Sequence, residues 1–281
     1  MITLSRLWKR ATALLYGLAA GEALGFGESQ EIGEMTAFAW SVAQVVARRG
    51  WVDEPFLREA VLDGTLSLPG DEPAEDEVVG AGGALAAGVL RRPYDYNGLV
   101  DDAASIVAIQ RYTSEAAAGG CAVAAFISGL LDGWDMESAG SLAVAIARRG
   151  ATLGRKEGVP ATPEEIQKGL LRVDEYIVGR TPDVRRALEA VRPLRPLARA
   201  LGIAYACRDA ESAVEAARAL PGYARFTGAI AGALCAAHRP DSLPRAWADA
   251  AQSAARARGF DPEELARMLV ELRWKPSPVF W

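Results

Sequence analysis

The feature of this sequence that most restricts its fold is a helical repeat of apolar residues along almost the whole chain. Apolar residues recur every three or four positions in the segments Thr36–Arg48, Leu99–Arg111, Ala116–Leu131, Ser138–Arg149 and Ala229–Ala237. No segment shows the alternation of a strand bounded by hairpin turns. Abundant Ala and Gly allow helix axes to approach closely. The pattern therefore predicts an all-α fold, a compact single-domain bundle of roughly a dozen helices with short connections.

Several helix ends can be placed from the sequence. Proline and acidic residues follow a capping residue at Asp53, Thr162, Thr181 and Asp261. Arginine followed by glycine marks predicted helix ends at Gly50, Gly150 and Gly259. We expect residues 1–281 to form one domain, in which 260–281 are a C-terminal helix and a tail rich in proline and aromatic residues. The tail aromatics are expected to pack on the body or against another subunit.

Composition excludes some partners. The net charge is −5 and charges of both signs are interleaved, so a nucleic-acid partner is not expected. Three cysteines in Ala-rich helical stretches indicate reduced thiols and a cytoplasmic protein. No stretch reaches the ~20 apolar residues of a membrane span. Arg6, Lys9 and Arg10 loosely mimic a signal peptide, but Thr12 and Tyr16 interrupt the apolar run that follows.

Four segments carry the recognisable motifs. They are, in chain order, Tyr16–Gly25 (Y-G-L-A-A-G-E-A-L-G), Gln30–Thr36 (Q-E-I-G-E-M-T), Gly80–Leu85 (G-A-G-G-A-L) and Pro221–Leu234 (P-G-Y-A-R-F-T-G-A-I-A-G-A-L). This set resembles the ADP-ribosylglycohydrolase family, whose motifs read G-x-x-x-G-D-A-L-G, T-D-D-T-x-M, G-N-G-A-A-M-R and G-G-D-x-D-T-x-A-A-I-A-G-A-L. Downstream, Leu243–Trp247 is similar to the family's I-P-x-x-W.

The resemblance implies a cleft with two magnesium ions, held by hard oxygen ligands from two aspartate pairs. In this chain the first pair falls on Glu31 and Ile32, and the second on Tyr223 and Arg225. Isoleucine cannot ligate, tyrosine is neutral near pH 7, and arginine places a positive charge where a dication would sit. We therefore expect no bound metal and no cofactor. Glu22 stands where the family has aspartate in the opening motif, and it is a candidate substrate-binding residue.

The remaining polar groups suggest a binding site. Arg225 is expected to pair with Glu22 or Glu31, or to bind a phosphate or carboxylate in bidentate fashion. The alternative is that Arg225 is a surface helix residue. Tyr223 is grouped with Arg225 as a candidate substrate-binding residue. Glu28 and Glu31 are candidate catalytic carboxylates, a general base and a stabiliser of positive charge at the anomeric carbon; the alternative is an acidic first helical turn.

The glycine cluster Gly80, Gly82 and Gly83 is a further candidate for substrate binding. Its backbone N–H groups would face a diphosphate at a helix N-terminus. The alternative is a turn or close helix packing. The single histidine, His238, is predicted to end a helix.

Three functions remain open on the residues alone. The first is a family member with a degenerate metal site that binds ADP-ribose or a related nucleotide with little or no turnover. The second is an active hydrolase of an ADP-ribosyl or other N-glycosyl bond, which would use Glu28 and Glu31 with one metal or none. The third is a non-catalytic structural or interaction protein with a collapsed cleft. A small molecule of the ADP-ribose type is the expected partner, no membrane partner is expected, and an oligomer is compatible with the sequence.

Overall fold

A computed structural model describes residues 2–25, 32–68, 81–110, 113–155, 162–178, 182–220 and 224–275. These residues form fourteen α-helices and one short 3₁₀ helix, Pro240–Ser242. The α-helices are α1 (Leu4–Gly25), α2 (Glu34–Arg49), α3 (Glu54–Leu62), α4 (Leu85–Leu90), α5 (Tyr96–Ala108), α6 (Ser114–Leu131), α7 (Met136–Gly150), α8 (Thr162–Ile177), α9 (Val184–Val191), α10 (Pro196–Cys207), α11 (Ala210–Arg218), α12 (Ala224–His238), α13 (Arg245–Ala257) and α14 (Pro262–Trp274). Within the described ranges the only β pairing is an isolated bridge between Thr113 and Arg155. The predicted all-α class is confirmed.

The central helix is α6, which is buried along nearly its whole length. It is long and apolar enough to cross a membrane, but 94% of it lies inside the fold. The expectation that no segment approaches the character of a membrane span was too strong, because the core helix of a compact bundle has the same composition as a span. Cys121 and Cys235 are buried free thiols, and Cys207 is partly buried.

Helices α1 and α12 pack against each other through glycines spaced four residues apart. A Cβ on Gly17 would lie 2.7 Å from the carbonyl oxygen of Gly232, and one on Gly21 would lie 2.2 Å from that of Gly228. The pairing order shows that the two helices run antiparallel. Small residues let these two backbones touch, so the C-terminal end of α1 meets the N-terminal end of α12.

Most predicted helix ends are correct. Asp261 caps α14 by accepting hydrogen bonds from the amides of Glu263 and Glu264 at 3.1 and 3.2 Å. Gly50 ends α2 with φ +93°, and Gly259 follows α13 with φ +78°. These positions fit the left-handed conformation that glycine adopts freely.

Two predicted helix starts differ from the structure by one or two residues. Thr162 is the first residue of α8, one position later than a cap residue, and its amide and hydroxyl donate to Glu115. The cap of α9 is Asp183, which accepts from the amide of Arg186, so this helix starts later than a cap at Thr181 predicts. Gly150 is the last residue of α7, as predicted, and it gives room to Cys121: a Cβ there would lie 2.7 Å from the sulfur.

Candidate functional site

The motif residues converge where the C-terminal end of α1 meets the N-terminal ends of α2 and α12. Glu22 is in the last turn of α1, Gly33 precedes α2, and Arg225 is the second residue of α12. The antiparallel packing of α1 on α12 places the first and fourth motifs side by side although about two hundred residues separate them. This junction is the candidate site.

Glu22 is fully buried, and α2 uses its carboxylate as a cap. Its Oε1 accepts a hydrogen bond from the backbone amide of Met35 at 3.1 Å, and its Oε2 accepts one from that of Thr36 at 2.8 Å. The first amides of a helix have no partner within the helix and carry the positive end of its dipole. A carboxylate from another helix therefore satisfies the start of α2, where Gly33 offers no side-chain cap.

The position before α2 admits only glycine beside this carboxylate. A Cβ on Gly33 would lie 2.1 Å from both Cδ and Oε1 of Glu22. The backbone at Gly33 is extended, with φ −71° and ψ 171°, so glycine is needed here for space and not for an unusual backbone angle. Sequence reasoning missed this role of Gly33. The available signal was a glycine directly before the acidic first turn of a helix.

Two opposing influences act on the Glu22 carboxyl. Burial is the larger and raises its pKa above the usual glutamate value, whereas hydrogen bonds from Thr36 and Met35 and the positive charge of Arg225 lower it. Arg225 is half-buried, and its guanidinium carbon lies 4.2 Å from the centre of the Phe226 ring. Its positive charge is the smallest of the influences that lower the pKa of Glu22.

The glycines of the third motif lie against α2. A Cβ on Gly82 would lie 2.6 Å from Cγ of Met35, and a Cβ on Gly83 would lie 2.4 Å from a ring carbon of Phe38. Both glycines are buried. The described geometry is close helix packing, one of the two alternatives for this cluster, and it joins the third motif to the second.

Four of the candidate residues lie outside the described ranges: Glu28, Glu31, Gly80 and Tyr223. The structure therefore brings together Glu22, Gly82, Gly83 and Arg225 around the start of α2. Met35 contacts two of these residues: its backbone amide donates to Glu22, and its side chain packs on Gly82.

Comparisons with known proteins agree with this arrangement. The sequence model of the ADP-ribosylglycohydrolase family matches residues 28–278. This chain belongs to that family. A solved structure described as an "ADP-ribosylglycohydrolase-related protein complex" is similar over 96% of this chain and 99% of its own, with a TM-score of 0.60 and 18% sequence identity, which supports the shared fold. The search of curated proteins found no match.

The ADP-ribosylglycohydrolase motifs imply magnesium at this junction, and the polar groups present there determine whether the ion can bind. Both oxygens of Glu22 already accept backbone hydrogen bonds, and Arg225 adds a positive charge beside them. Across the described ranges, no group of three or more His, Cys, Asp or Glu side chains has the arrangement of a metal site. Hard divalent cations require several oxygen ligands, so the described residues of the junction do not fit one.

His238 is the last residue of α12, as the sequence predicts. Burial and the neighbouring charges of Arg10, Arg239 and Arg208 lower its pKa, which favours the neutral imidazole near pH 7. An interaction of a charged His238 with the helix dipole is therefore disfavoured.

Proposed function

We propose that this member of the ADP-ribosylglycohydrolase family binds ADP-ribose or a related nucleotide without magnesium, and turns it over little or not at all. One observation carries the proposal: the buried carboxylate of Glu22 caps α2 with both of its oxygens, and the charge of Arg225 acts on it. Both oxygens of a carboxylate used in this way are already engaged by backbone amides, which makes Glu22 a poor ligand for a metal ion. Magnesium would also be repelled by the guanidinium.

The same two residues suggest how a nucleotide would be bound. An arginine at the first turn of α12 combines a fixed guanidinium charge with the positive end of a helix dipole. Guanidinium groups bind phosphate oxygens through two parallel hydrogen bonds. The guanidinium would then take the charge position that the family gives to its metals, and a diphosphate bound to it would need no magnesium to neutralise it.

Isothermal titration calorimetry with ADP-ribose tests the proposal. Binding is expected to have the same affinity in excess Mg²⁺ and in EDTA. In the Arg225→Gln variant the affinity should fall roughly 10- to 100-fold, the range expected when a hydrogen bond to a charged group is lost. Arg185→Gln is the matched control, because Arg185 is an exposed arginine in the first turn of another helix, α9.

The outcomes separate the three functions. Binding that needs Mg²⁺ would contradict the proposal, and absence of binding under every condition would leave the structural or interaction function. An assay on an ADP-ribosylated protein, with an active family enzyme as positive control, measures turnover. Rapid release of ADP-ribose would favour the active hydrolase, and loss of that release in Glu28→Gln or Glu31→Gln would assign the catalytic carboxylate.

A further inference from the structure

Six residues of α7 are exposed and lie on one side of the helix, from its first turn to its last. At ~100° of rotation per residue they fall within roughly a third of the helix circumference. We call them the α7 face, and they are Glu137, Ser138, Ser141, Ala145, Arg148 and Arg149. The remaining residues of α7 are buried, so the helix presents only this face to solvent.

The α7 face is symmetric about Ala143, the middle residue of the helix. Its members form three pairs, and the two residues of each pair are equally far along the chain from Ala143: Glu137 with Arg149, Ser138 with Arg148, and Ser141 with Ala145. Two copies of this helix that cross there in antiparallel directions therefore bring each residue opposite its counterpart. A two-fold interface between identical chains requires a surface that is complementary to itself in this way.

The charges of the α7 face have opposite signs at its two ends. Glu137 lies in the first turn of α7, and Arg148 and Arg149 lie in the last. Within the described part of the chain none of these three residues forms an ion pair. Arg148 donates to the amide oxygen of Gln167 at 2.6 Å, and Arg149 donates to that of Asn97 at 3.3 Å. An antiparallel second copy would place Glu137 opposite Arg149, whereas a parallel copy would place arginine opposite arginine.

Two grooves border the α7 face. One has a volume of about 480 Å³ and extends to Tyr96 of α5, and the other has a volume of about 270 Å³ and extends to Leu171 of α8. Ser141 and Ala145 line both grooves, so these small residues form a low ridge between them. Tyr96 is 41% exposed and Leu171 is 56% exposed. The ridges of one helix pack into the grooves of another, and covering the large apolar side chains beside the ridge is favourable.

We infer that the α7 face binds the α7 face of a second copy of this chain, with the two helices antiparallel about a two-fold axis beside Ala143. The axis makes every contact occur twice, so the interface contains two ion pairs between Glu137 of one copy and Arg149 of the other. Ser141 and Ala145 lie at the centre, where small side chains let the helix axes approach closely. Charge complementarity thus selects both the occupant, a second copy, and its antiparallel orientation.

Sedimentation velocity of the full chain tests this inference by measuring its mass in solution. The native chain should reach twice the mass of one 29.8 kDa chain at concentrations up to roughly 100 μM, well above the micromolar dissociation constants of weak specific interfaces. Glu137→Arg alone and Arg149→Glu alone should each shift the mass to that of one chain, because each variant places like charges opposite each other twice. Both residues are exposed, so the helix content measured by circular dichroism should stay native.

A mixture of the two variants provides the decisive comparison. When a Glu137→Arg chain meets an Arg149→Glu chain, arginine lies opposite glutamate at both symmetric positions. The equimolar mixture should therefore recover the dimer mass, although neither variant forms a dimer alone. Glu211→Arg and Arg218→Glu are the matched controls, because they make the same charge changes at exposed positions of α11. Each control should keep the native dimer mass.

A further variant tests the centre of the interface without a change of charge. Ala145→Trp fills the space through which the two helices approach and should abolish the dimer, whereas Ala250→Trp, at an exposed alanine of α13, should keep it. A native chain that stays monomeric up to ~100 μM would overturn the inference. A dimer that survives Ala145→Trp or either reversal on α7, or that the controls disrupt equally, would overturn it as well. Failure of the equimolar mixture to recover the dimer would show that Glu137 and Arg149 do not face each other.

Discussion

The α-carbon of Gly33 lies against the carboxyl group of Glu22, so that a Cβ on residue 33 would come within 2.1 Å of Cδ and Oε1. Glu22 is held there by the amides of Met35 and Thr36, which immediately follow in the same helix start. Because Gly33 has no side chain, the Glu22 carboxyl group can lie in the space that a Cβ at residue 33 would occupy.

This relationship predicts a large effect of a small substitution. In Gly33→Ala the new methyl group must displace the Glu22 side chain and break its two hydrogen bonds to α2. We expect the free energy of unfolding to fall by about 2–3 kcal/mol, the range for overpacking combined with the loss of a cap. Urea denaturation followed by circular dichroism measures this loss.

A double-mutant cycle separates the collision from any general cost of alanine at this position. In a Glu22→Ala background the carboxyl group is gone, and Gly33→Ala should then cost much less than in the native chain. Equal costs in the two backgrounds would show that the carboxylate is not what restricts residue 33.

The protonation of Glu22 gives a second prediction. Because burial raises the pKa of this carboxyl in the folded protein, the folded state holds the proton at pH values where the unfolded chain has already lost it. The contribution of Glu22 to stability is thus fully present below the unfolded pKa and is lost as pH rises through the folded pKa. Glu22→Gln removes this titration. The free energy of unfolding of the variant relative to the native protein should therefore rise as pH increases above about 4, the ordinary range of a glutamate pKa.

The control for this experiment is Glu164→Gln. Glu164 is an exposed carboxylate in the first turn of α8, and it shares that position near a helix start without being buried. A pH dependence in Glu22→Gln no larger than in this control would contradict a burial-driven shift at Glu22.

Local sequence rules were sufficient for the helices and for several of their ends. The recurrence of apolar residues every three or four positions is a property of each segment by itself. The caps at Asp261 and Gly50 likewise depend only on adjacent residues. The predicted cap at Thr162 is instead the first residue of α8, where the distant side chain of Glu115 accepts hydrogen bonds from its amide and its hydroxyl. Tertiary contacts of this kind cannot be inferred from the local spacing of residue types along the sequence.

The same dependence on tertiary contacts explains why the candidate site was predicted only in part. Motif order placed Glu22 and Arg225 near each other, and the structure brings the charge of Arg225 to Glu22. The motifs did not reveal that Glu22 would cap α2, since the distances from Glu22 to Met35 and Thr36 depend on how α1 and α2 cross. The motifs also left two structures open at Gly82 and Gly83, a phosphate-binding loop and close helix packing. The helix packing is seen only in the contacts with Met35 and Phe38.

The glycine contact between α1 and α12 yields a third prediction. Gly21→Ala would place a Cβ 2.2 Å from the carbonyl oxygen of Gly228, and backbone cannot move aside without separating the two helices. We expect a loss of about 3 kcal/mol in the free energy of unfolding. Gly140→Ala in α7 is the control: its nearest neighbour is the tip of the Leu170 side chain at 2.9 Å, which can rotate. That variant should be neutral or gain up to ~1 kcal/mol from better helix propensity. A similar loss in both variants would mean that the α1–α12 contact is not special.

The last prediction concerns Arg273, a buried arginine that sequence reasoning did not single out. Its guanidinium donates to the carbonyl oxygens of Gly88, Val89 and Ser128 and pairs with Asp132 at 2.6 Å. It thereby ties the end of α14 to the C-terminal ends of α4 and α6, whose last carbonyls have no partners within their own helices. Arg273→Met should cost about 3–5 kcal/mol, because Asp132 loses its partner and several carbonyls lose their donor.

Two comparisons make the Arg273 prediction specific. Arg273→Lys should recover only part of the loss, since an ammonium group cannot reach this spread of acceptors as a planar guanidinium does. Arg267→Met, on the same helix, removes an arginine that pairs with Glu264 and Glu271 on the exposed surface; exposed ion pairs contribute little to stability, so this variant should unfold at nearly the native urea concentration. If Arg267→Met and Arg273→Met lower the unfolding midpoint equally, burial and carbonyl capping are not what make Arg273 important.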